Sequence, residues 1–499
     1  MDITEITIAE LHELYRSNEM TVRDVIEQYI ERIELYDRVG PELQSILTIN
    51  PNALDRADEL DRVFETSGDF VGALHGIPIV VKDQVETKDI TTTFGSETCL
   101  EYVPTEDATV IKELREAGAV ILGKTNLSDW ATNWFCFSSA MDGRTKNPYE
   151  LGRDAGGSSG GTGTAVAANL GTVGLGEDTG GSIRVPSSFN NLFGVRVTPG
   201  LISRTGVQSL IKQLDTTGPM TRTVEDAARM LDVLVGYDST DDYTAVTELT
   251  DTGDTYLEAL DADALSGARL GVVRQVFGDE SDPEIGPVNE VVNSAIDTMH
   301  RQGAEIVDPV SIPDLEAHLD KTSLYRMGSK SSINEFLQDR DEIPVESVSE
   351  IFESGRYHEL HDQFEAIAQG PAIPEETPKY WEKVAAMDIF QRAVLNVFAE
   401  HELDALIYPD AQVLPPQDEL IGRSEIYENS FKFPANTLIA SQARCCAMSV
   451  PAGFTNDGIP VGIELTGKPY CEATLLGLAY AFEQATDPRS PPEIAPTVR

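Results

Sequence analysis

The chain has 499 residues, enough for one large domain or two to three ordinary ones. Acidic residues number 84 and basic residues 37, which gives a formal net charge of −47. Such a charge disfavours binding to nucleic acid or to an anionic membrane.

The pattern of apolar residues divides residues 1–499 into three successive parts. Residues 1–65 predict helices, with Thr7 and Thr21 as N-caps. Residues 66–236 alternate short apolar strands with helices, which is typical of an α/β fold with a largely parallel sheet. The elements predicted there are strand 77–81, helix 107–117 and strand 119–122. The remaining part, 237–499, begins with an Asp- and Thr-rich stretch at 237–264 that is predicted to be a solvated connection. It is then predicted to contain a mainly helical stretch at 312–400 and a last helix near 472–483. The strands predicted in this part are 269–273, 405–408 and 461–465.

The excess of acid is spread along the whole chain, with no run typical of a disordered tail. At molar salt the screening length falls to about 3 Å, so repulsion between these charges largely disappears. Only twelve of the 37 basic residues are lysine. We therefore predict a protein that works in concentrated salt; the alternative is an unusually acidic cytosolic protein.

Cysteines and apolar segments exclude several other classes. The five cysteines (Cys99, Cys136, Cys445, Cys446 and Cys471) have neither metal-site spacing nor the even number of a disulfide framework. No segment approaches the roughly 18 apolar residues of a membrane span. The first residues also lack a signal peptide's basic and apolar regions. We expect a cytoplasmic protein without a metal.

Two glycine-serine clusters and one upstream lysine carry the chemical prediction. Gly-Gly-Ser-Ser-Gly-Gly spans 156–161 and Gly-Gly-Ser-Ile-Arg spans 180–184, while Lys82 ends an apolar run. Glycine leaves a neighbouring serine hydroxyl unshielded and lets the backbone approach a ligand. A lysine buried behind an apolar strand can lose its charge at neutral pH and act as a base. The pattern indicates a serine nucleophile activated by lysine.

One competing motif is the phosphate-binding loop. Residues 118–125 fit GxxxxGK[ST] letter for letter. That loop follows a strand and is glycine-rich, whereas here a helix precedes the motif and Ala-Val-Ile-Leu fills its interior. The segment is predicted to be a strand, so nucleotide binding is not favoured.

A second competing motif is the nucleophile elbow GxSxG, which residues 157–161 also fit. The elbow requires an apolar strand before the serine, but residues 147–155 are polar and irregular. No histidine downstream is persuasively placed as the base. The context therefore argues against an α/β-hydrolase.

The chain resembles the amidase signature enzymes, serine hydrolases with a Ser-Ser-Lys triad. The resemblance extends over nearly the whole chain, and the matching segments follow one another in the same order as in the family. The matching segments are DAGGSSGGTGTAVAANLGTVGLGEDTGGSIRVPSSFNNLFGVRVTPG at 154–200, GIPIVVKD at 76–83, GKTNLSDW at 123–130, DTTGPMTRTVEDAARMLDVLVG at 215–236 and GIPVGIELTG at 458–467. It implies one α/β/α domain with a mixed sheet between helices, and a helical cap near 312–400 over the active site.

The resemblance also implies roles for the triad. Ser182 would be the nucleophile, Ser158, preceded by a cis peptide bond, would relay the proton, and Lys82 would be the base. Ser158 lies twenty-four residues before Ser182, which is the family's spacing. Read alone, the same residues would be ordinary glycine turns and a lysine emerging at a strand end.

Around the triad, the resemblance implies an oxyanion hole, a supporting network and a substrate pocket. The hole would use the backbone N–H groups of Thr179, Gly180, Gly181 and Ser182, since successive N–H groups in a glycine turn converge on one point. The residues implied for the network are Asp178 and Arg184, and those implied for substrate contact are Thr132 and Trp134. Core packing alone would equally explain the aromatic residues.

The function implied is hydrolysis of a carboxylic amide through a serine acyl-enzyme, without a cofactor. The expected partner is a small-molecule amide, with no nucleic acid or membrane, and a homodimer is left open. The alternative within the family is the glutaminase subunit of a tRNA-dependent amidotransferase. The aromatic stretch 130–137 suits an apolar acyl group better than glutamine's charged end, so a free-standing amidase is favoured. A non-catalytic binder is disfavoured because all three triad residues are present.

Overall fold

The computed structural model describes residues 2–141, 143–250, 255–424, 427 and 430–493. Its strands are β1 Ile46–Ile49, β2 Pro78–Lys82, β3 Val120–Thr125, β4 Val173–Asp178, β5 Phe193–Arg196, β6 Thr216–Thr221, β7 Arg269–Val272, β8 Glu305–Val307, β9 Ala405–Pro409, β10 Ala447–Phe454 and β11 Pro460–Thr466. Its α-helices are α1 Ile8–Ser17, α2 Val22–Arg32, α3 Ala53–Ser67, α4 Thr109–Glu116, α5 Gly160–Ala167, α6 Arg184–Phe189, α7 Val224–Leu234, α8 Gly286–Arg301, α9 Leu315–Thr322, α10 Tyr325–Gln338, α11 Val348–Ser354, α12 Asp362–Ala368, α13 Pro378–His401, α14 Leu438–Gln442 and α15 Glu472–Thr486.

The N-terminal part differs from its prediction at one element. Thr7 and Thr21 cap α1 and α2 as predicted, and each completes a capping box with the acidic residue three positions on. The prediction of helices throughout residues 1–65 is wrong at β1. This strand pairs antiparallel with β3 at the sheet edge, so a tertiary contact overrides the helical context.

All eleven strands form one mixed sheet, in the order β1-β3-β2-β4-β6-β5-β10-β11-β9-β7-β8. The α/β class and the mixed sheet are confirmed. The expected predominance of parallel pairs is wrong, because only four of the ten neighbouring pairs are parallel (β2 with β3 and β4, β7 with β8 and β9). Antiparallel pairs occupy the centre, where β6, β5, β10 and β11 are neighbours.

The C-terminal part follows its predicted elements closely. Strands β7, β9 and β11 and helix α15 lie within a few residues of their predicted bounds. The connection at 237–264 contains two 3₁₀ helices, Asp242–Leu249 and Tyr256–Ala259, while residues 251–254 lie outside the described part. Residues 312–400 are mainly helical as predicted, and helices α9 to α13 form the layer that we call the cap.

The apolar core is organised in three clusters. The largest surrounds the sheet, a second packs the cap against Phe94 and Trp130, and a third gathers Trp134, Phe135 and their neighbours. Cys445 and Cys446 are both buried. Within the described residues, no helix combines the length and apolarity needed to span a bilayer.

The sheet brings the three predicted site segments together. β2 ends at Lys82 and runs parallel to its neighbour β4, which ends at Asp178. The carboxyl ends of parallel neighbours lie at the same edge of a sheet. The chain then turns through 179–183 into α6, while the first glycine-serine cluster leads into α5.

Candidate active site

Lys82 lies fully buried at the end of β2, and its Nζ donates to the Ser158 Oγ at 2.8 Å. Two further acceptors contact the same nitrogen, namely the Glu177 carbonyl oxygen and the Glu177 carboxylate, each at 3.1 Å. Burial lowers the pKa of Lys82, while the Glu177 carboxylate acts in the opposite direction. The predicted base and the predicted relay are therefore in direct contact.

Ser182 is slightly more exposed than the other two predicted triad residues. It is 8% exposed, whereas Ser158 and Lys82 are 0% exposed. The Ser182 carbonyl accepts from the Ser159 N–H at 3.2 Å, which joins the two glycine-serine clusters. The peptide bond between Gly157 and Ser158 is cis. The Ser159 hydroxyl donates to the Glu177 carbonyl at 3.1 Å, the same oxygen that accepts from Lys82 Nζ, and within the described residues it makes no hydrogen bond to Lys82 itself.

Glu177 was not predicted to be part of the site. Its carboxyl group is 1% exposed, pairs with Lys82 and accepts from the Thr179 hydroxyl at 3.2 Å. Burial raises its pKa to about 7, although Lys82 acts to lower it. The Thr179 hydroxyl also donates to Asp215 at 2.7 Å, so two buried carboxyl groups flank the nucleophile loop. A glutamate directly before Asp178, two residues from the glycines, was the signal available in the sequence.

The loop from Thr179 to Ser182 is closely approached on two sides. A Cβ at Gly180 would collide with the Tyr325 hydroxyl, and one at Gly181 would collide with the Thr437 hydroxyl. Gly181 also has φ +145°, a backbone conformation that favours glycine. In the described part of the chain, no protein acceptor takes the N–H groups of Gly180, Gly181 and Ser182. Those groups remain available to a ligand oxygen.

A buried ionic network supports this loop from behind. Asp178 pairs with Arg184 at 3.1 Å and with Arg196 at 2.8 Å, and Arg184 continues to Glu464 on β11 at 2.5 Å. All four side chains are fully buried. Burial by itself would raise the pKa of Asp178, but the two guanidinium groups hold it well below its usual range. The Asp178 carboxylate also accepts from the Ile183 N–H at 3.1 Å, which fixes the turn after the nucleophile.

A cleft of about 550 Å³ lies between the cap and the segment 430–442. None of the described loop residues 179–182 lines it, but the lining residues Trp134, Tyr325 and Leu438 also pack close to Gly180 or Gly181, and we call their side of the cleft its inner end. Trp134 is 6% exposed and stacks on Phe433 at 5.7 Å between ring centres. The sequence did not indicate Tyr325 or Leu438, because the cap and the segment after it approach the loop only in the folded chain.

Two other residues singled out from the sequence have different surroundings. Thr132 is fully buried, donates its hydroxyl to the Asp129 carbonyl at 2.8 Å and is not among the residues that line the cleft. Lys124, from the phosphate-loop match, lies on β3 and pairs with Asp83 at 2.9 Å without exposure to solvent. The strand predicted in place of a phosphate loop is therefore observed.

Comparison with known proteins agrees with this arrangement. Residues 24–476 match the Amidase family. The chain is 32% identical to a glutamyl-tRNA(Gln) amidotransferase subunit of Thermoanaerobacter pseudethanolicus, covering 99% of each chain. It is 30% identical to a probable amidase of Arabidopsis thaliana, covering 98% of this chain and 92% of the relative. Its structure is similar to native peptide amidase from Stenotrophomonas maltophilia, with a TM-score of 0.86, 31% identity and 99% coverage of both chains. The chain belongs to the amidase family and is an amide-hydrolysing enzyme.

Proposed function

We propose that the protein hydrolyses linear carboxylic amides through an acyl-enzyme on Ser182, with Ser158 as proton relay and Lys82 as base. The observation that carries the proposal is the buried contact of 2.8 Å between Lys82 Nζ and Ser158 Oγ. A lysine can accept a proton only when it is neutral, and complete burial favours that form. The contact between Lys82 and Ser158 supports their roles as base and relay, and the hydrogen bond from the Ser159 N–H to the Ser182 carbonyl holds the two serine segments together.

The reaction then proceeds in two steps. Ser182 Oγ attacks the amide carbonyl carbon while its proton passes to Ser158, which gives its own proton to Lys82. The N–H groups of Thr179, Gly180, Gly181 and Ser182 stabilise the negative oxygen of the tetrahedral intermediate. The C–N bond breaks as the proton returns through Ser158 to the leaving amine or ammonia. Water then attacks the acyl-enzyme by the same route and releases the acid.

The cleft supports a free-standing amidase with an extended acyl group. Its inner end is aromatic and aliphatic, with Trp134 and Leu438 next to the nucleophile loop. The close structural similarity to peptide amidase, over the whole of both chains, agrees with such a substrate. We propose Trp134 as an acyl contact.

The similarity to glutamyl-tRNA(Gln) amidotransferase subunits supports a second candidate function, that of a glutaminase subunit. In that role the chain would hydrolyse glutamine and pass ammonia to a partner protein. Both functions use the same triad, so only the substrate and the need for a partner distinguish them.

The test is ammonia release by the purified chain in multimolar KCl, with Ser182→Ala as the control. The substrates are benzamide, short aliphatic amides, peptide amides, an amino-acid amide and glutamine. Hydrolysis of simple or peptide amides that is lost in Ser182→Ala is the expected result. Hydrolysis of glutamine alone, or only with amidotransferase partner proteins added, would replace the proposal with the second function. Full activity of Ser182→Ala would refute the assigned nucleophile.

A further inference from the structure

The part of the cleft that we call its outer end carries more basic than acidic side chains, whereas the chain as a whole is strongly acidic. Three basic side chains line it, Arg326 from α10 and Lys379 and Lys383 from α13, against one acidic side chain, Asp320. The whole chain carries a net charge of −47 and contains only twelve lysines, so two of the twelve lie at this cleft. In concentrated salt, long-range repulsion is screened within about 3 Å, and the groups in direct contact decide what binds.

The two lysines occupy positions that do not favour the helix itself. Lys379 and Lys383 are four residues apart in the first turns of α13, and like charges at that spacing repel each other. A cation near a helix N-terminus also opposes the helix dipole, and the first turn of α13 contains no acidic residue. Burial lowers the pKa of Lys383, Asp320 raises it, and the neighbouring Lys379 lowers it further. An anion between these side chains would relieve that repulsion.

Two of the three basic side chains, Arg326 and Lys383, are positioned by contacts with neighbouring residues. The Arg326 guanidinium carbon lies 4.2 Å from the centre of the Phe431 ring, which also lines the cleft. Lys383 Nζ donates to the Asp320 backbone carbonyl at 2.9 Å. Within the described residues, no ion pair joins Arg326 or Lys379 to a carboxylate. A guanidinium stacked on a ring presents its N–H groups in a fixed plane that suits a carboxylate.

The basic end and the catalytic end belong to one cleft. Trp134, Tyr325 and Leu438 line it next to the nucleophile loop, and Tyr325 directly precedes Arg326 at the start of α10. A substrate seated with its amide at Ser182 therefore extends along an apolar wall toward the cations. The neutral polar side chains Gln363 and Ser430 also line the cleft and add hydrogen-bonding groups without charge.

We infer that Arg326, Lys379 and Lys383 form a subsite for an anionic group, and that the preferred substrates are amides whose acyl part carries a distal carboxylate. This inference rests on the proposed amidase function. Monoamides of dicarboxylic acids and peptide amides with acidic side chains have this chemistry. The apolar stretch of such a substrate would contact Trp134 and Leu438, and its carboxylate would reach α13.

The kinetic test uses pairs of substrates that differ in charge alone. Glutaramic acid is compared with 4-nitrobutanamide, in which a neutral nitro group replaces the carboxylate, and longer homologues of both are included. We expect kcat/KM for the best carboxylate amide to exceed that of its nitro analogue by about tenfold, since partly exposed charge contacts each contribute a few-fold. In the double variant Arg326→Glu/Lys379→Glu, this ratio of kcat/KM values should fall to about one or below.

The matched control is Lys112→Glu, on α4, which removes an exposed lysine whose side chain is 52% exposed and lies outside the cleft. It should leave the ratio unchanged. Thermal unfolding in the same KCl solution checks that each variant folds. An equal preference for both substrates in the wild type, or a ratio that the double variant does not lower, would overturn the inference.

Binding to the Ser182→Ala protein separates this inference from the catalytic proposal. Calorimetric titration should show tighter binding of the carboxylate amides than of their nitro analogues, and the difference should vanish when Arg326→Glu and Lys379→Glu are added to Ser182→Ala. If the wild type hydrolyses neutral amides but shows no charge preference in either measurement, the subsite is refuted and the amidase function stands. If charge-selective binding occurs without hydrolysis of any amide, the subsite stands and the catalytic proposal fails.

Discussion

The segment 154–203, which we call the signature segment, and the cap differ in their exposure to solvent. Every residue from 154 to 203 is buried, including charged side chains such as Asp178 and Arg184. The cap mixes buried and exposed positions, and even large apolar residues such as Trp381 and Ile389 are more than half exposed. The proposed reacting groups are therefore shielded from water, whereas the residues proposed to select the substrate lie in or next to the partly exposed cap.

The largest effect should come from the proposed triad, whose two serines lie in the buried segment and whose lysine is buried at the end of β2. Ser182→Ala and Lys82→Met should each lower kcat/KM on any accepted amide by at least about 10³-fold, and the double variant should be little worse than either alone. Ammonia release measures the rates. Multiplicative losses in the double variant would contradict a triad that acts as a unit, and would weaken the contrast between this segment and the cap.

The network behind the loop should dominate stability. Arg184→Met leaves Asp178 without one of its two guanidinium partners and Glu464 without its arginine, all in the interior, so we expect a loss of about 3–5 kcal/mol in the free energy of unfolding. Denaturant unfolding in multimolar KCl measures it. Arg229→Met is the control, because its pair with Glu225 on α7 is partly exposed and should contribute less than about 1 kcal/mol. Equal losses in the two variants would show that burial does not determine how much these ion pairs contribute to the free energy of unfolding.

Lowering the salt concentration should affect the two regions unequally. With a net charge of −47, dilution from multimolar KCl into dilute buffer should lower the melting temperature, because repulsion between surface carboxylates is no longer screened. Amide hydrogen exchange should show loss of protection in the cap before the signature segment, whose ion pairs are buried. An unchanged melting temperature and full activity in dilute buffer would refute the prediction of a salt-adapted protein.

The smallest effect should be a displaced pH profile. The Glu177 carboxylate stabilises the protonated form of Lys82, and Glu177→Gln removes that negative charge from a buried site. The pKa of Lys82 then falls. A base loses activity as the pH drops through its pKa, so the acidic limb of kcat/KM should move to lower pH by about one unit.

The matched control for this profile is Glu483→Gln on α15. Burial likewise raises the pKa of Glu483 to about 7, but its carboxylate accepts from the Val224 N–H and does not contact the triad. That variant should keep the wild-type limb. A limb that stays in place or moves upward in Glu177→Gln would show that the carboxylate does not hold the proton on Lys82.

The sequence by itself determined the α/β class and, through its resemblance, the family, and it supplied Ser182, Ser158 and Lys82 as the predicted triad, because serines beside glycines and a lysine after an apolar strand are local patterns. Helix caps at Thr7 and Thr21 were equally readable, since a cap depends on residues three positions apart. Only the tertiary structure decided that β1 is a strand, since its hydrogen bonds come from β3. The same holds for the pairing of Lys82 with Glu177, which are ninety-five residues apart. The cleft, too, depends on the packed cap, which brings Arg326, Lys379 and Lys383 together from two helices. Contacts of this kind follow from packing, which no local pattern of residues specifies.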